Sequence, residues 1–286
     1  MIALNIKKRK LDTHKGDYGH VLVVAGSVGM TGAAYLCSEA ALLSGAGLVT
    51  LAIPKSLNPI MERKLTEVMT LPLAETKEQT LSKNSYKRLA ELAKKCDSIA
   101  IGPGLSQNKE TQTLIRSLIK NVNVPMVLDA DALNALAGHL NVLRNTKYEI
   151  RDTTITPHPG EMSRLIGRPT SFINKNKKTV AKNFASEYNV TIVLKGHQSI
   201  VASPKKAIHV NSTGNPGMAS GGCGDVLTGI IAAFLANGVD NFKAARLATY
   251  IHGLSGDIAA KEKSEISLRA TDLLKFLPQA FKKIYK

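Results

Sequence analysis

Tryptophan is absent from this chain of 286 residues, and aromatic residues make up only 5% of it. A protein that stacks single-stranded bases on a row of rings is poorly served by that composition. Cysteine is nearly as scarce. Cys37, Cys96 and Cys223 are widely spaced, odd in number and form no Cys-x-x-Cys pair, so neither a disulfide framework nor a thiolate zinc site is expected. The histidines show no His-Glu-x-x-His pattern. No apolar run approaches the ~18 residues needed to cross a bilayer. The segment Met1 to Lys10 has neither the apolar centre nor the small-residue cleavage site of a secretory signal, so a cytoplasmic protein without a membrane partner is expected. Gly-x-x-x-x-Gly-Lys-[Ser/Thr] and Gly-x-Gly-x-x-Gly are both missing. With them goes the main support for a P-loop ATPase or a Rossmann dehydrogenase.

Acidic residues are also few, 22 against 38 Lys and Arg, for a formal charge of +16. A nucleic-acid binder is the sharp reading of that excess. The basic residues are dispersed, however, over Lys7 to Lys10, Lys94-Lys95, Lys175 to Lys178, Lys205-Lys206 and Lys282-Lys283, without interleaved aromatics. A diffuse field that attracts small anions accounts for them equally well, and no specific nucleic acid is expected as a partner.

What the chain does have is a regular alternation of β-rich runs and helical segments. Val-Leu-Val-Val, Ile-Ala-Ile and Ile-Val-Leu are near-continuous apolar runs, as expected of strands buried on both faces. Strands are expected at residues 20–25, 48–53, 98–101, 125–129, 153–156, 191–195, 199–202 and 207–210. Helices are expected at 32–44, 85–95, 110–120, 132–137, 160–166, 177–188, 225–237, 241–260 and 270–285. Such repeated β–loop–α units predict a single α/β domain over residues 1–286, with a mostly parallel sheet and helices on both sides.

Five of the expected strands run into loops rich in glycine, proline or charge: Gly26 to Gly32, Gly102-Pro103-Gly104, Asp129-Ala130-Asp131, Pro157-His158-Pro159-Gly160-Glu161 and Lys195-Gly196-His197-Gln198-Ser199. Open α/β sheets bind their ligands at that rim. The most telling segment is Asn215 to Gly229, where Gly221-Gly222-Cys223-Gly224 leads into an apolar helix. Unpaired N–H groups at the positive end of a helix form an anion hole, usually filled by phosphate. Asp225 repels such a ligand unless it takes a proton from a hydroxyl that attacks a phosphoryl group. The plain alternative is that Asp225 caps the helix. His158, fixed between two prolines, reads as aimed at a ligand. Lys195 is either a solvated lysine or a cation beside a nucleotide phosphate. Asp129 and Asp131 could hold magnesium through water, but capping the following helix is the preferred role for Asp131.

These segments resemble the ADP/ATP-dependent NAD(P)H-hydrate dehydratases, a carbohydrate-kinase-like family with the ribokinase fold. In the family's order, the matching stretches are His14 to Gly19, Val24 to Ser27 with Met30 to Ala34, Ile101 to Leu105, Leu128 to Asn134, Thr156 to Glu161, Val193 to Gly196 and Asn215 to Gly229. They cover the chain from about Asp12 to Leu277. The resemblance implies a three-layer α/β/α domain that phosphorylates the ring hydroxyl of the S-epimer of hydrated NADH or NADPH. ADP or ATP would be the donor and Mg2+ a cofactor, and loss of the phosphate would restore the dinucleotide. By position it implies that Ala33, Gly104, His158 and Asp225 contact the hydrated dinucleotide. Lys195, Gly196, His197, Gln198, Ser199 and Gly224 would contact the adenine nucleotide. Asp225 would be catalytic and Gly221, Gly222, Cys223 and Gly224 the anion hole, while the metal ligands stay unidentified.

The same resemblance implies a homotetramer. The match starts near residue 12, so a separate NAD(P)H-hydrate epimerase is the expected partner. The family often has Thr or Ser where Cys223 stands, which adds an expected thiol sensitivity. Two rivals remain open. A hydroxyethylthiazole-kinase-like enzyme of the same fold is disfavoured by the Pro157 to Glu161 and Gly102 to Leu105 segments as a pair. A non-enzymatic nucleotide- or nucleic-acid-binding module is disfavoured by Asp225, because a pure binder gains nothing from a like charge.

Overall fold

Alternate residues of a strand point to opposite faces of its sheet, and here both faces are apolar. In β1 (His20–Val24), Val21 and Val23 pack into one core, whereas Leu22 and Val24 pack into a second. The computed structural model describes residues 10–144 and 152–284. The basic run Lys7 to Arg9 and the expected helix end at Tyr285 lie outside the described residues.

The remaining strands are β2 (Leu48–Pro54), β3 (Met69–Leu73), β4 (Ser98–Ile101), β5 (Met126–Leu128), β6 (Thr153–Ile155), β7 (Thr191–Leu194), β8 (Ile200–Ser203) and β9 (Lys206–Val210). They form one sheet in the order β3-β2-β1-β4-β5-β6-β7-β8-β9. It is parallel from β3 to β7, and β8 and β9 add an antiparallel edge. On one face lie α1 (Thr31–Leu43), α2 (Asn58–Lys64), α10 (Cys223–Ala236), α11 (Asn241–Lys263) and α12 (Ala270–Ile284). The other face carries α3 (Tyr86–Ala93), α4 (Lys109–Asn121), α5 (Asp131–Leu136), α6 (Asn141–Arg144), α7 (Pro159–Ile166), α8 (Thr170–Lys175) and α9 (Lys177–Tyr188). This is the expected three-layer α/β/α arrangement. All eight expected strands recur. The structure adds β3, an edge strand that accommodates Pro72 because its outer side needs no ladder hydrogen bond.

Two features position the site. The chain runs outward from β1 through β3, then returns to place β4 on the other side of β1. Strand order therefore reverses between β1 and β4, which opens a crevice above their C-terminal ends. The loops there are tied together: Gly26 N donates to Pro103 O at 2.9 Å and Ser27 Oγ to Gly104 O at 2.8 Å. The second feature is α10, buried on nearly every side between α1, α11, α12 and the sheet. A Cβ at Gly229 would run into the Cys37 carbonyl oxygen of α1, so the two helices meet backbone to backbone.

Candidate active site

One wall of the crevice is made where glycine lets two elements touch. Gly104 has φ +61°, and a Cβ there would lie 2.8 Å from Met30 Cβ and 3.1 Å from Ala33 Cβ. Ala33 and Gly104, expected on the substrate side, are thus neighbours.

The loop expected to hold an anion ends at α10, whose N-cap is Gly222 with φ +92°. No side chain caps this helix, and a Cβ on Gly222 would meet Leu36 Cδ1 at 2.5 Å. Asp225 is therefore not the cap. It sits in the first turn, partly buried, and its carboxylate makes no hydrogen bond or ion pair among the described residues. Burial and the Asp129 charge, joined by Glu161 and Asp131 and opposed by Lys195, push its pKa up to about 7. A carboxylate so poised can exchange a proton at neutral pH.

Lys195 is no solvated lysine. Its side chain is 18% exposed, and Nζ lies 2.7 Å from Asp129 Oδ1 and 3.8 Å from Glu161 Oε2. Burial works against its charge, but Asp129 and Glu161 more than offset this and hold its pKa above the ordinary lysine value. The other oxygen of Asp129 accepts from Thr228 Oγ1 of α10 at 2.8 Å. Both Asp129 oxygens are thus engaged by protein partners. The cap expected of Asp131 is corrected. The helix starts one residue earlier than expected, Ala130 holds the N-cap position, and Asp131 is the first helical residue. Its carboxylate instead accepts from Ser106 N at 2.8 Å and Asn134 Nδ2 at 3.0 Å, tying the loop after β4 to α5.

His158 is aimed, and by more than its prolines. It caps α7: Nδ1 accepts from Gly160 N at 3.0 Å and Glu161 N at 3.3 Å, while Glu161 Oε2 accepts from His158 N at 2.8 Å. The same device recurs at His14-Lys15-Gly16-Asp17, where His14 Nδ1 accepts from Gly16 N at 3.1 Å. With Nδ1 an acceptor, the proton of the neutral ring sits on Nε2. Burial, Lys195 and Arg164 lower the imidazole pKa and keep it neutral. The side chain is half exposed, and Nε2 lies 3.3 Å from Glu161 Oε1.

Beside this cluster opens a cavity of about 500 Å³. Lys195, Gly196, His197, Gln198, Ser199 and Gly224 all line it, so the expected nucleotide set converges on one space. Cys223 lines it too, whereas Ala33, Gly104, His158 and Asp225 do not. A Cβ at Gly224 would sit 3.2 Å from Lys195 Nζ, which places this glycine directly over the ion pair. Among the described residues, no group of three or more His, Cys, Asp or Glu side chains is placed to hold a metal ion.

A family model described as NAD(P)H-hydrate dehydratase matches residues 21–279. The chain belongs to the NAD(P)H-hydrate dehydratase family. It is 43% identical over 98% of its length to the bifunctional NAD(P)H-hydrate repair enzyme Nnr of Moorella thermoacetica, covering 52% of that protein. It thus spans about half the length of the first curated relatives it matches. With the ADP-dependent (S)-NAD(P)H-hydrate dehydratase of Neisseria meningitidis it shares 35% identity, over 91% of this chain and 83% of that one. Among solved structures it is similar to the ADP/ATP-dependent NAD(P)H-hydrate dehydratase of Bacillus subtilis co-crystallised with ATP/Mg2+ (TM-score 0.83, 32% identity, 99% and 100% of the two chains). A hydroxyethylthiazole kinase from Pyrococcus horikoshii matches with a TM-score of 0.60 at 17% identity, a likeness of fold alone.

In this member of the NAD(P)H-hydrate dehydratase family, several supporting residues carry no local sequence signal. His252 Nε2 donates to Cys223 O at 2.8 Å, and burial takes its pKa down to about 4. Asp257 accepts from Gly214 N and Asn215 Nδ2, each at 3.0 Å, and so holds the loop that precedes Gly221 to Gly224. Lys177 Nζ donates to His197 O at 2.8 Å and steadies the β7–β8 connection. Each is separated from its partner by 20 or more residues, beyond the reach of any short pattern.

Proposed function

We propose that this protein dehydrates the S-epimer of hydrated NADH or NADPH, with ADP or ATP as phosphoryl donor, through one catalytic domain that spans the chain. The observation that carries the reading is Asp225: an unpartnered carboxylate with a pKa of about 7 in the first turn of a helix that opens on a glycine loop. The adenine nucleotide occupies the cavity lined by Lys195 to Ser199 and Gly224, and its terminal phosphate lies against the N–H groups of Gly221, Gly222, Cys223 and Gly224. The hydrated ring enters from the Ala33–Gly104 wall, with His158 at its edge. Asp225 accepts the ring hydroxyl proton as that oxygen attacks phosphorus, and AMP or ADP departs. Phosphate then leaves with the C–O bonding electrons. A proton is lost from the neighbouring carbon, and the ring double bond returns.

Among the described residues no group of three or more His, Cys, Asp or Glu side chains is placed to hold a metal ion by itself. In this reading magnesium arrives on the nucleotide phosphates, its usual carrier. The relatives' names support the substrate, and the bifunctional ones support partnership with an epimerase acting on the same dinucleotides. A homotetramer, on the strength of the family resemblance, and a cytoplasmic location, on the sequence's lack of a signal or membrane-spanning run, complete the reading.

The test is direct. Purified protein given hydrated NADH should restore reduced-nicotinamide absorbance only when ADP or ATP is added, releasing one phosphate per ring. Folded protein with no nucleotide-dependent recovery, or one that phosphorylates a thiazole alcohol instead, sinks the reading.

A further inference from the structure

Asp225 stands among charges drawn from several elements. Asp129 and Asp131 face it from the β5–α5 junction, Glu161 from α7 and Lys195 from the end of β7. The thiols of Cys37 on α1 and Cys223 on α10 feel its charge, and the neutral ring of His252 on α11 lies near Lys195. Of these groups, Asp129 and Lys195 are held most firmly. Their ion pair is 2.7 Å long, with Asp129 only 2% exposed. Thr228, one turn along α10 from Asp225, clamps the second Asp129 oxygen at 2.8 Å. The pair also lies against the backbone next to Asp225. A Cβ on Gly224 would fall 3.2 Å from Lys195 Nζ and 3.6 Å from Asp129 Oδ2. A cation and an anion are therefore locked beneath the same helical turn, one attracting and one repelling charge on Asp225.

We infer that Asp129 and Lys195 are an opposed pair of positioning residues that sets the proton affinity of Asp225, and with it the pH range in which the acceptor hydroxyl can be deprotonated. This rests on the reading of Asp225 as proton acceptor. The pair is nearly neutral in sum, so it acts on Asp225 as a buried dipole, its Asp129 end raising the proton affinity and its Lys195 end lowering it. Burial keeps that dipole unscreened by salt. Thr228 fixes its orientation, because a rotation of the Asp129 carboxylate would bring the anionic end closer or carry it away. Lys195 also lines the nucleotide cavity, so an anionic donor that engages it there would weaken its hold on Asp225 and make Asp225 more basic as the nucleotide binds.

The experiment is a carbon-13 NMR titration of the Asp225 carboxyl in the full chain without ligand, its signal identified by loss in Asp225→Asn. Asp129→Asn should lower the titration midpoint by about one pH unit and Lys195→Met should raise it by about as much. Lys195→Arg, which keeps the charge, should restore the wild-type midpoint. The acid limb of kcat/KM should move in the same opposite directions. Residues that merely hold the fold would lower activity in both variants and leave the midpoints together. Midpoints that coincide with wild type, or that move the same way, overturn the inference. If Asp129→Asn does not fold, Lys195→Met against Lys195→Arg decides alone. Opposed midpoints in a protein without dehydratase turnover would uphold the pair and reject the proposed function.

Discussion

An anion half-hidden in the first turn of α10, behind a glycine loop, destabilises the fold, and Asp225 limits that cost by titrating near neutrality. Its folded pKa of about 7 lies above the ordinary carboxylate value. Between those two values the folded state binds more protons than the unfolded one, so stability falls as pH rises through that interval. Two outcomes follow for Asp225→Asn. Turnover should drop ~100- to 10,000-fold with nucleotide affinity largely kept, as for other lost general bases. Thermal unfolding should show the variant more stable than wild type at pH 8, with the difference vanishing near pH 4. Wild-type kcat/KM should rise with pH through about 7. A near-normal kcat in the variant would remove Asp225 from the chemistry.

His158 caps α7 and is proposed to touch the substrate, and two substitutions separate the roles. His158→Ala removes the cap and should cost ~1 kcal/mol of stability. His158→Asn keeps a capping oxygen and should restore most of that. If the ring also contacts substrate, both variants bind hydrated NADH weakly and ADP nearly normally by calorimetry. Equal losses for the two ligands would leave His158 a cap and nothing more. The Cys223 thiol, by contrast, is buried beside Ser220 Oγ at 3.3 Å, and burial raises its pKa. That runs against the thiol sensitivity expected from the sequence, because the reactive thiolate is disfavoured there.

At the scale of elements, α10 joins the site to the core. It presents its N-terminal turn to the cavity while Gly229, farther along, lies against the α1 backbone. Gly229→Val should force the helices apart and destabilise by roughly 1–3 kcal/mol, seen as a lower melting temperature. A melting temperature equal to wild type would mean that the two helices part without strain. The long apolar runs made β1, β4, β7 and α10 legible in the sequence, since burial on every side leaves an unmistakable composition. Pro72 hid β3, because proline argues against a strand unless the edge is known. The rim loops were legible as glycine and proline clusters, and the nucleotide set from Lys195 to Ser199 does line one cavity. The burial of Lys195 was not legible. It depends on Asp129, 66 residues away, and on Glu161, and neither pairing has a local pattern. Asp131 misled for a smaller reason, a one-residue difference in where α5 begins.

Across the whole molecule, the excess of positive charge is a surface property. Lys94, Lys95, Lys175, Lys178, Lys205, Lys206, Lys282 and Lys283 are exposed, whereas the carboxylates of Asp129 and Glu161 are buried at the site. Such a field steers small anions and is screened by salt. A protein built to grip duplex DNA through 6–10 phosphates would lose ~1,000-fold or more in affinity between about 50 and 200 mM salt. Here, duplex DNA binding should be weak and sequence-blind at low salt and vanish at physiological salt, while kcat/KM for the hydrated dinucleotide falls only modestly. Tight, selective nucleic-acid binding at physiological salt would overturn that assignment of the charge. None of the described helices is long and apolar enough to cross a membrane.

The reversal of strand order between β1 and β4 has a consequence in time. Three ties across the site join distant parts of the chain: Ser27 to Gly104 over 77 residues, Lys195 to Asp129 over 66 and Thr228 to Asp129 over 99. Local helices can form early, but none of these closures can precede assembly of the parallel sheet, which is slow by topology. Refolding followed by circular dichroism should therefore regain helix well before nucleotide binding returns, and binding should recover only in the slowest phase. A chain caught midway, or cut within the β5–α5 junction, presents no partial pocket to a nucleotide, so ligand capture reports completed folding.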